Sequence, residues 1–325
     1  MVLVSVVMPS YNHERYLPES IESVLNQSYK DFELIIVDDD SVDSSQEIIA
    51  AYQKKDQRIR AFFHKKNLGI AKTLNDGIEK TKGKYVALLA SDDIWLESKL
   101  EKQVSVLNAD DSLIVWSEGE IIDAKGLSTG QTFTQMHFAQ HKKKSGNIFD
   151  HLLQGYGNFV FGSSVIFKRD YFKDIRFCEK LKYYNDYKFI VDLSRSHSFF
   201  FLPQALAKYR IHRKNAILLD RESWTRDEIT LWNLILKEYG SSISNRMKAY
   251  LLSKIGSAQS SLGNKAFARK TFFQAISLDP FRKDVFSFLV FALVSGDDSI
   301  AKFFVKFKPL LLDVAHSLSP ICKKT

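Results

Sequence analysis

The sequence predicts an α/β fold, a mainly parallel sheet flanked by helices, followed by an all-α C-terminal region. Through the first hundred residues, short β-branched runs alternate with segments whose apolar residues recur at helical spacing. From about Trp224 onward only helical spacing remains. A third observation locates a site. Three of the apolar runs end directly in polar or acidic residues: Ser10-Tyr11-Asn12, Asp38-Asp39-Asp40 and Ser91-Asp92-Asp93. Ligands of open parallel sheets bind at the carboxyl ends of the strands, so these residues are expected on one rim.

Taken in order, Val2 to Met8 is a β-branched run closed by Pro9. Glu14 to Gln27 carries Tyr16, Leu17, Ile21, Val24 and Leu25 on one helical face, with Pro18 in the first turn, where it is tolerated. Phe32 to Val37 reads as a buried strand, Ser44 to Lys54 as a helix, Ile59 to Phe63 as a strand and Ile70 to Thr81 as a helix. Tyr85 to Leu89 is a further strand, and Trp95 to Leu107 a further helix. From Leu113 to Gly162 the pattern weakens, and the basic stretch within Phe138 to Ser145 reads as a loop. Leu181 to Arg195 is helical in pattern, and Phe199 to Leu202 is a short strand.

The chain of 325 residues is 45% hydrophobic and 26% charged and has 25 Phe, which excludes disorder and leaves ample apolar mass for a core. Two cysteines, Cys178 and Cys322, supply no disulfide framework and point to a reducing compartment. The N-terminus has no basic region before its apolar run, so it reads as a strand and not as a signal peptide. Val285 to Val294 is too short an apolar run to cross a bilayer. The net charge of +8 is concentrated in residues 241–325, which hold 13 Lys and Arg against 5 Asp and Glu. Such an excess suits an anionic partner such as a membrane surface, or a solvated basic face.

Adjacent carboxylates at a strand end repel one another unless a cation compensates. Mg²⁺ or Mn²⁺ suits such a place, because it takes oxygen ligands and commonly bridges one or two carboxylates to substrate phosphates. Asp92 and Asp93 fit that description, and either could equally cap the helix that follows. Asp38 and Asp39 could instead form an Asx-turn ahead of the Ser44 helix. Tyr11 is a platform for a base or sugar, or a loop aromatic.

At these residues the chain resembles the family 2 glycosyltransferases, inverting enzymes with the GT-A nucleotide-sugar fold. The matching segments run in order: Val4 to Ser45, NLGIAKTLNDGI (Asn67 to Ile78), GKYVALLASDDIW (Gly83 to Trp95), GSSVIFKRDYF (Gly162 to Phe172), NDYKFIVDLSRS (Asn185 to Ser196) and LAKYRIH (Leu206 to His212). The resemblance implies a nucleotide-sugar domain over residues 1–220 and a helical region over 221–325. It implies that Pro9, Tyr11, Asp39 and Asp92 bind the nucleotide sugar, with Asp39 accepting a hydrogen bond from the base. Asp92 and Asp93 fall on the family's D-x-D metal motif, whose first acid is replaced by Ala90, and His212 is implied near the diphosphate or the metal. Asp186 falls where the family has its catalytic base, preceded by Asn185 where the family has Glu. Gly162, Ser163 and Ser164 match the acceptor-side segment. Asp40 stands where many relatives have Gly, and Asp tolerates the left-handed conformation that such a turn needs. Lys72 could reach a phosphate, or simply lie on an exposed helix face.

The implied reaction moves a sugar from a nucleotide diphosphate, UDP favoured, to a hydroxyl of a saccharide or lipid-linked saccharide during cell-surface polysaccharide assembly. It implies a divalent cation, Mn²⁺ or Mg²⁺, and a place in the cytoplasm or at the inner face of the membrane. Residues 249–282 look like one tetratricopeptide unit, read either as an appendage or as a docking surface. Beyond it, Lys302, Lys306 and Lys308 interleave with Phe303, Phe304 and Phe307, a pattern suited to peripheral contact with an anionic membrane. A nucleotidyltransferase would want a glycine-rich loop after the first strand, and PSYNHER has no glycine. A non-catalytic scaffold on a degenerate enzyme domain draws support from Ala90 and Asn185 only. Nucleic-acid binding has no recognised motif behind it.

Overall fold

The computed structural model describes residues 3–139, 142–154, 158–212 and 220–279. The chain separates into two compact units, Met1–Leu234 and Ile235–Thr325. The first unit opens with strands β1 (Val4–Ser10), β2 (Phe32–Asp38), β3 (Ile59–Phe63) and β4 (Tyr85–Leu88), joined through helices α1 (Leu17–Leu25), α2 (Ser45–Lys55) and α3 (Ile70–Glu79). These strands are parallel in the order β3-β2-β1-β4. Every residue of β1 and β2 is buried, which is why their sequences are mainly apolar and not alternating. The polar residues inside them, Ser5 and Glu33, satisfy one another through a 2.7 Å hydrogen bond. Pro18 sits in the first turn of α1, where the missing N–H costs nothing.

Past β4 come β5 (Ile94–Trp95), α4 (Lys99–Ala109), β6 (Ile114–Ile122), β7 (Ser128–Thr132), α5 (Phe133–Met136), α6 (Phe149–Leu153), β8 (Ile166–Lys168), α7 (Asn185–Ser196) and β9 (Phe199–Arg210). They extend the sheet as β4-β8-β6-β9-β5, with β7 paired to β6. This half is mixed: β8 is antiparallel to both neighbours, and β6 runs parallel to β9. The sheet is therefore wholly parallel only across β3-β2-β1-β4, where strands and helices alternate in the sequence.

Three elements differ from expectation for physical reasons. The helix expected from Trp95 begins at Lys99, because Ile94 and Trp95 pair as strand β5 with Lys208 and Ala207. The strand expected to stop at Leu202 continues to Arg210. Its β6 register skips at Pro203, which has no N–H to give the ladder. β6 is buried almost throughout although it contains Ser117, Glu118 and Gly119, and this hid it. The Glu118 carboxylate is satisfied there by the Gly119 and Thr134 N–H groups and the Thr134 hydroxyl.

Two backbone details hold the parallel half in register. Asp40 adopts φ +63, so the position expected to need a left-handed residue does need one. Gly83 donates its N–H to Ser5 Oγ at 2.8 Å. A Cβ added at Gly83 would fall 2.7 Å from the Ser5 nitrogen and 2.9 Å from the Val4 carbonyl carbon, both backbone atoms that cannot step aside. Gly83→Ala is expected to destabilise the protein by about 1–3 kcal/mol, read as a lower urea midpoint with the m-value unchanged.

Helix α8 (Arg221–Tyr239) spans the division, and its first part, to Leu234, belongs to the first unit. The second unit contains α9 (Asn245–Ser261) and α10 (Lys265–Leu278), which pack together. Gly256 faces the Phe272 ring so closely that an added Cβ would lie 3.0 Å from it. Residues 280–282 of the tetratricopeptide-like stretch, the Val285 to Val294 segment, the Lys302–Lys308 tail and Cys322 lie outside the described residues, as do residues 140–141 of the basic loop. Among the described residues, no helix is long and apolar enough to cross a membrane.

Candidate active site

The carboxyl ends of β1, β2 and β4 converge, and the loops that follow them are bound to one another. The Asp39 N–H donates to the Ser10 carbonyl at 2.9 Å. Asp38 takes the turn-forming role: its carboxylate accepts from the Ser41 N–H and hydroxyl, from Ser10 Oγ and from Gln46 Nε2. Asp39 is turned the other way. It accepts the Leu68 N–H at 2.9 Å and the Gly69 N–H at 2.8 Å, and it lies 2.7 Å from His64 Nδ1. The two adjacent acids thus divide between turn and rim. Lys72 pairs with Asp76 one helical turn away at 2.7 Å, so the exposed-helix reading describes it.

Beside this rim lies a cavity of about 520 Å³. Pro9, Ala90, Asp92, Asp93, Gly162 and Ser163 line one part of its wall, and Asp186 lines another. The structure thereby brings together residues from β1, the β4–β5 loop, the turn before β8 and the start of α7. Tyr11, Asp39, Ser164 and His212 are not in the cavity wall. Tyr11 is exposed on the rim, while Ser164 is buried, with its hydroxyl on the Phe161 carbonyl.

Asp92 and Asp93 do not cap α4, which starts six residues beyond Asp93. Both are buried, and their surroundings separate their proton affinities. Burial raises the Asp92 carboxyl. The His212 hydrogen bond and the nearby His13 and His212 charges outweigh it, so Asp92 is held below the ordinary value. Burial and the Asp92 charge push Asp93 well above that value, against the Ser163 and Arg210 hydrogen bonds. Ser163 joins the site's two strand ends: it donates to Asp93 and accepts the Ala90 N–H at 3.1 Å.

Strand β9 delivers the cationic side of the site. Arg210, buried, reaches the Asp92 carbonyl through Nε at 2.9 Å and the Glu19 carboxylate through a terminal nitrogen, and its backbone N–H donates to Asp93 Oδ1 at 3.0 Å. Two residues on, His212 Nε2 lies 3.0 Å from Asp92 Oδ2. The Tyr16 ring packs on His212 with centroids 4.7 Å apart. His13, from the loop after β1, has Nδ1 2.8 Å from Ser91 Oγ and its ring edge-on to His212. One donor atom each from His13, Asp92 and His212 lie within 4.8 Å of one another. Two imidazoles and a carboxylate are a donor set that suits Mn²⁺ and other first-row divalent ions, so the residues present fit a divalent cation. His13 escaped the sequence reading because Ser91, which orients it, is 78 residues away. Its one signal was its place two residues past Tyr11, on the same rim.

Asp186 opens the first turn of α7. Its carboxylate accepts the Tyr187 N–H at 2.6 Å and faces Asn158 Nδ2 at 3.4 Å. Solvent reaches it through the cavity, but protein atoms crowd it from the other sides, and that enclosure raises its pKa above the ordinary carboxylate range. Asn185, beside it, is buried and donates to the Lys182 carbonyl at 3.0 Å, so the residue that lacks the family's charge stitches the turn instead.

The family described as Glycosyl transferase family 2 matches residues 5–176, more than half of the chain. The chain belongs to that family. An uncharacterized glycosyltransferase of Rickettsia typhi is 33% identical to this glycosyltransferase over 242 residues, 73% of this chain and 72% of the relative. TuaG of Bacillus subtilis, whose name places it in teichuronic acid biosynthesis, is 45% identical over 105 residues, 32% of this chain and 42% of TuaG. The crystal structure of S. aureus TarS 1-349 in complex with UDP-GlcNAc superposes on this glycosyltransferase with a TM-score of 0.61 at 20% identity, covering 84% of this chain and 79% of that one. That likeness shows the GT-A fold.

Proposed function

We propose that this glycosyltransferase moves a sugar from a nucleoside diphosphate donor, UDP favoured, to an acceptor hydroxyl with inversion, in the assembly of a cell-surface polysaccharide. One observation carries the reading: Asp92 and Asp186, from elements almost a hundred residues apart in sequence, line the same 520 Å³ cavity at the carboxyl end of the parallel strands. UDP-GlcNAc bound to TarS supports the donor class, and the name of TuaG supports the product class.

The chemistry assigns the parts. The transition state is oxocarbenium-like, and charge accumulates on the departing diphosphate. Asp92 and His212, with His13, would hold a divalent cation, which supplies charge neutralisation for that leaving group. Asp186 takes the proton of the attacking hydroxyl as its bond to C1 forms. Its raised pKa suits a base, since the proton it receives is held more firmly. One base and a single displacement invert the anomeric centre. Asp39 accepts from the nucleobase, and Pro9 and Tyr11 flank the nucleotide. Gly162 and Ser163 face the acceptor. Asp93, engaged by Ser163 and Arg210, serves as the brace of the acid loop.

A melting-temperature screen of UDP, GDP, dTDP and CMP sugars, each with and without Mn²⁺, tests this reading. UDP sugars with Mn²⁺ are expected to raise the melting point, by mass action on the native state. A response to none of them would remove the nucleotide-sugar reading, and a response to GDP sugars alone would reassign the base.

A further inference from the structure

The turn that leads into α7 is held by a residue outside the segment that matches the family. Asp227, on α8 and 8% exposed, accepts hydrogen bonds from three consecutive backbone N–H groups: Lys182 at 3.0 Å, Tyr183 at 2.8 Å and Tyr184 at 2.9 Å. No neutral side chain could satisfy all three as well, because a carboxylate offers two oxygens and several lone pairs and donates nothing. One helical turn earlier, Trp224 stacks on Tyr183 with centroids 4.6 Å apart and meets Tyr184 edge-on at 5.0 Å. One to two turns later, Trp232 packs edge-on against Tyr187. Helix α8 therefore grips the chain on both sides of Asp186. Tyr183, Tyr184, Asp186, Tyr187 and Trp224 all line the cavity, so the grip acts at its wall.

We propose that Asp227 is a positioning residue for Asp186. It acts through the Lys182–Tyr184 turn, which sets where α7 starts and hence where the Asp186 carboxylate stands in the cavity. The proposal rests on the reading of Asp186 as the base. Asp227 does not itself line the cavity, and it bonds the Lys182–Tyr184 turn and not the Asp92–His212 end of the site, so it acts on turnover and not on nucleotide binding. Displacement of a reacting group by about 1 Å can cost about 10²-fold in rate. Asp227→Asn keeps the shape but turns an amide N–H toward backbone donors, and loosens the turn without opening a hole.

The test uses the full chain and the nucleotide sugar that gives the largest melting shift. UDP affinity in the presence of Mn²⁺, kcat and KM are measured for the wild type, Asp227→Asn, Asp186→Asn and the double variant. Asp227→Asn is expected to lower kcat about 10–100-fold, with UDP affinity and donor KM within about twofold. It should add little to Asp186→Asn, since both act through one group. Amide hydrogen exchange at residues 182–184 should quicken in Asp227→Asn while the strands keep their protection. Unchanged kcat in Asp227→Asn alongside impaired Asp186→Asn overturns this proposal alone. Near-normal Asp186→Asn overturns the base assignment, and this proposal with it. Multiplying losses in the double variant, weakened UDP binding, or unprotected 182–184 amides in the wild type would each reduce Asp227 to a structural residue.

Discussion

Asp186→Asn should lower turnover about 10²–10⁴-fold while leaving the fold and UDP binding intact. The variant keeps the size of the side chain and an oxygen for the Tyr187 N–H, gives up only the long Asn158 contact, and cannot take a proton. Two further readings separate a base from a structural acid. The first is the pH profile. Enclosure raises the Asp186 pKa, and the base must be ionised to act, so the acid limb of kcat/KM should lie above the ordinary aspartate value of about 3.9. That limb should vanish from the residual activity of the variant. The second is stability. A carboxyl whose pKa is raised by folding contributes stability that is fully present below its unfolded pKa. The contribution is lost as pH rises through the folded value. Asp186→Asn should therefore melt no lower than the wild type at neutral pH, and its advantage should disappear in acid.

His212→Ala and Asp92→Asn should each abolish the Mn²⁺-dependent part of UDP binding. With ligand at about 100 times its dissociation constant, the wild type gains about 2.7 kcal/mol of apparent stability. Either variant should lose most of that gain when Mn²⁺ is present and behave like the wild type when it is absent. The two side chains meet at 3.0 Å and belong to one donor group with His13, so the double variant should be little worse than either single one. Differential scanning fluorimetry with and without Mn²⁺ checks this. Equal Mn²⁺-dependent shifts in the variants and the wild type would detach the cation from these residues.

The parallel half of the fold was legible because burial on both faces writes β1 and β2 as mainly apolar runs, broken inside only by the paired Ser5 and Glu33, and the connecting helices as amphipathic ones. The mixed half was not. β6 carries Glu118 and Gly119 in its interior and is a strand because tertiary partners accommodate them, Thr134 at the carboxylate and the Phe161 ring over the glycine, while β9 carries Pro203, where its register on β6 skips. The acids of the site were legible as clusters at strand ends, but the sequence alone left open which acid serves the turn and which the rim. Distant partners decide that: Leu68 and Gly69 for Asp39, Ser163 and the Arg210 backbone for Asp93. Residues whose meaning lies wholly in such partners stayed silent. His13 is oriented from Ser91, and Asp227 acts on a turn 43 to 45 residues before it. The capping expectation for Asp92 and Asp93 failed for a local reason, the insertion of β5 between them and α4.

The most direct measurement is a crystal structure of the full chain grown with UDP and Mn²⁺. The uracil is expected against Asp39, the diphosphate and the ion at Asp92 and His212, and open cavity between the β-phosphate and Asp186, wide enough for a sugar ring. A nucleotide bound away from both Asp39 and the cavity, or an ion held away from Asp92 and His212, would contradict that arrangement.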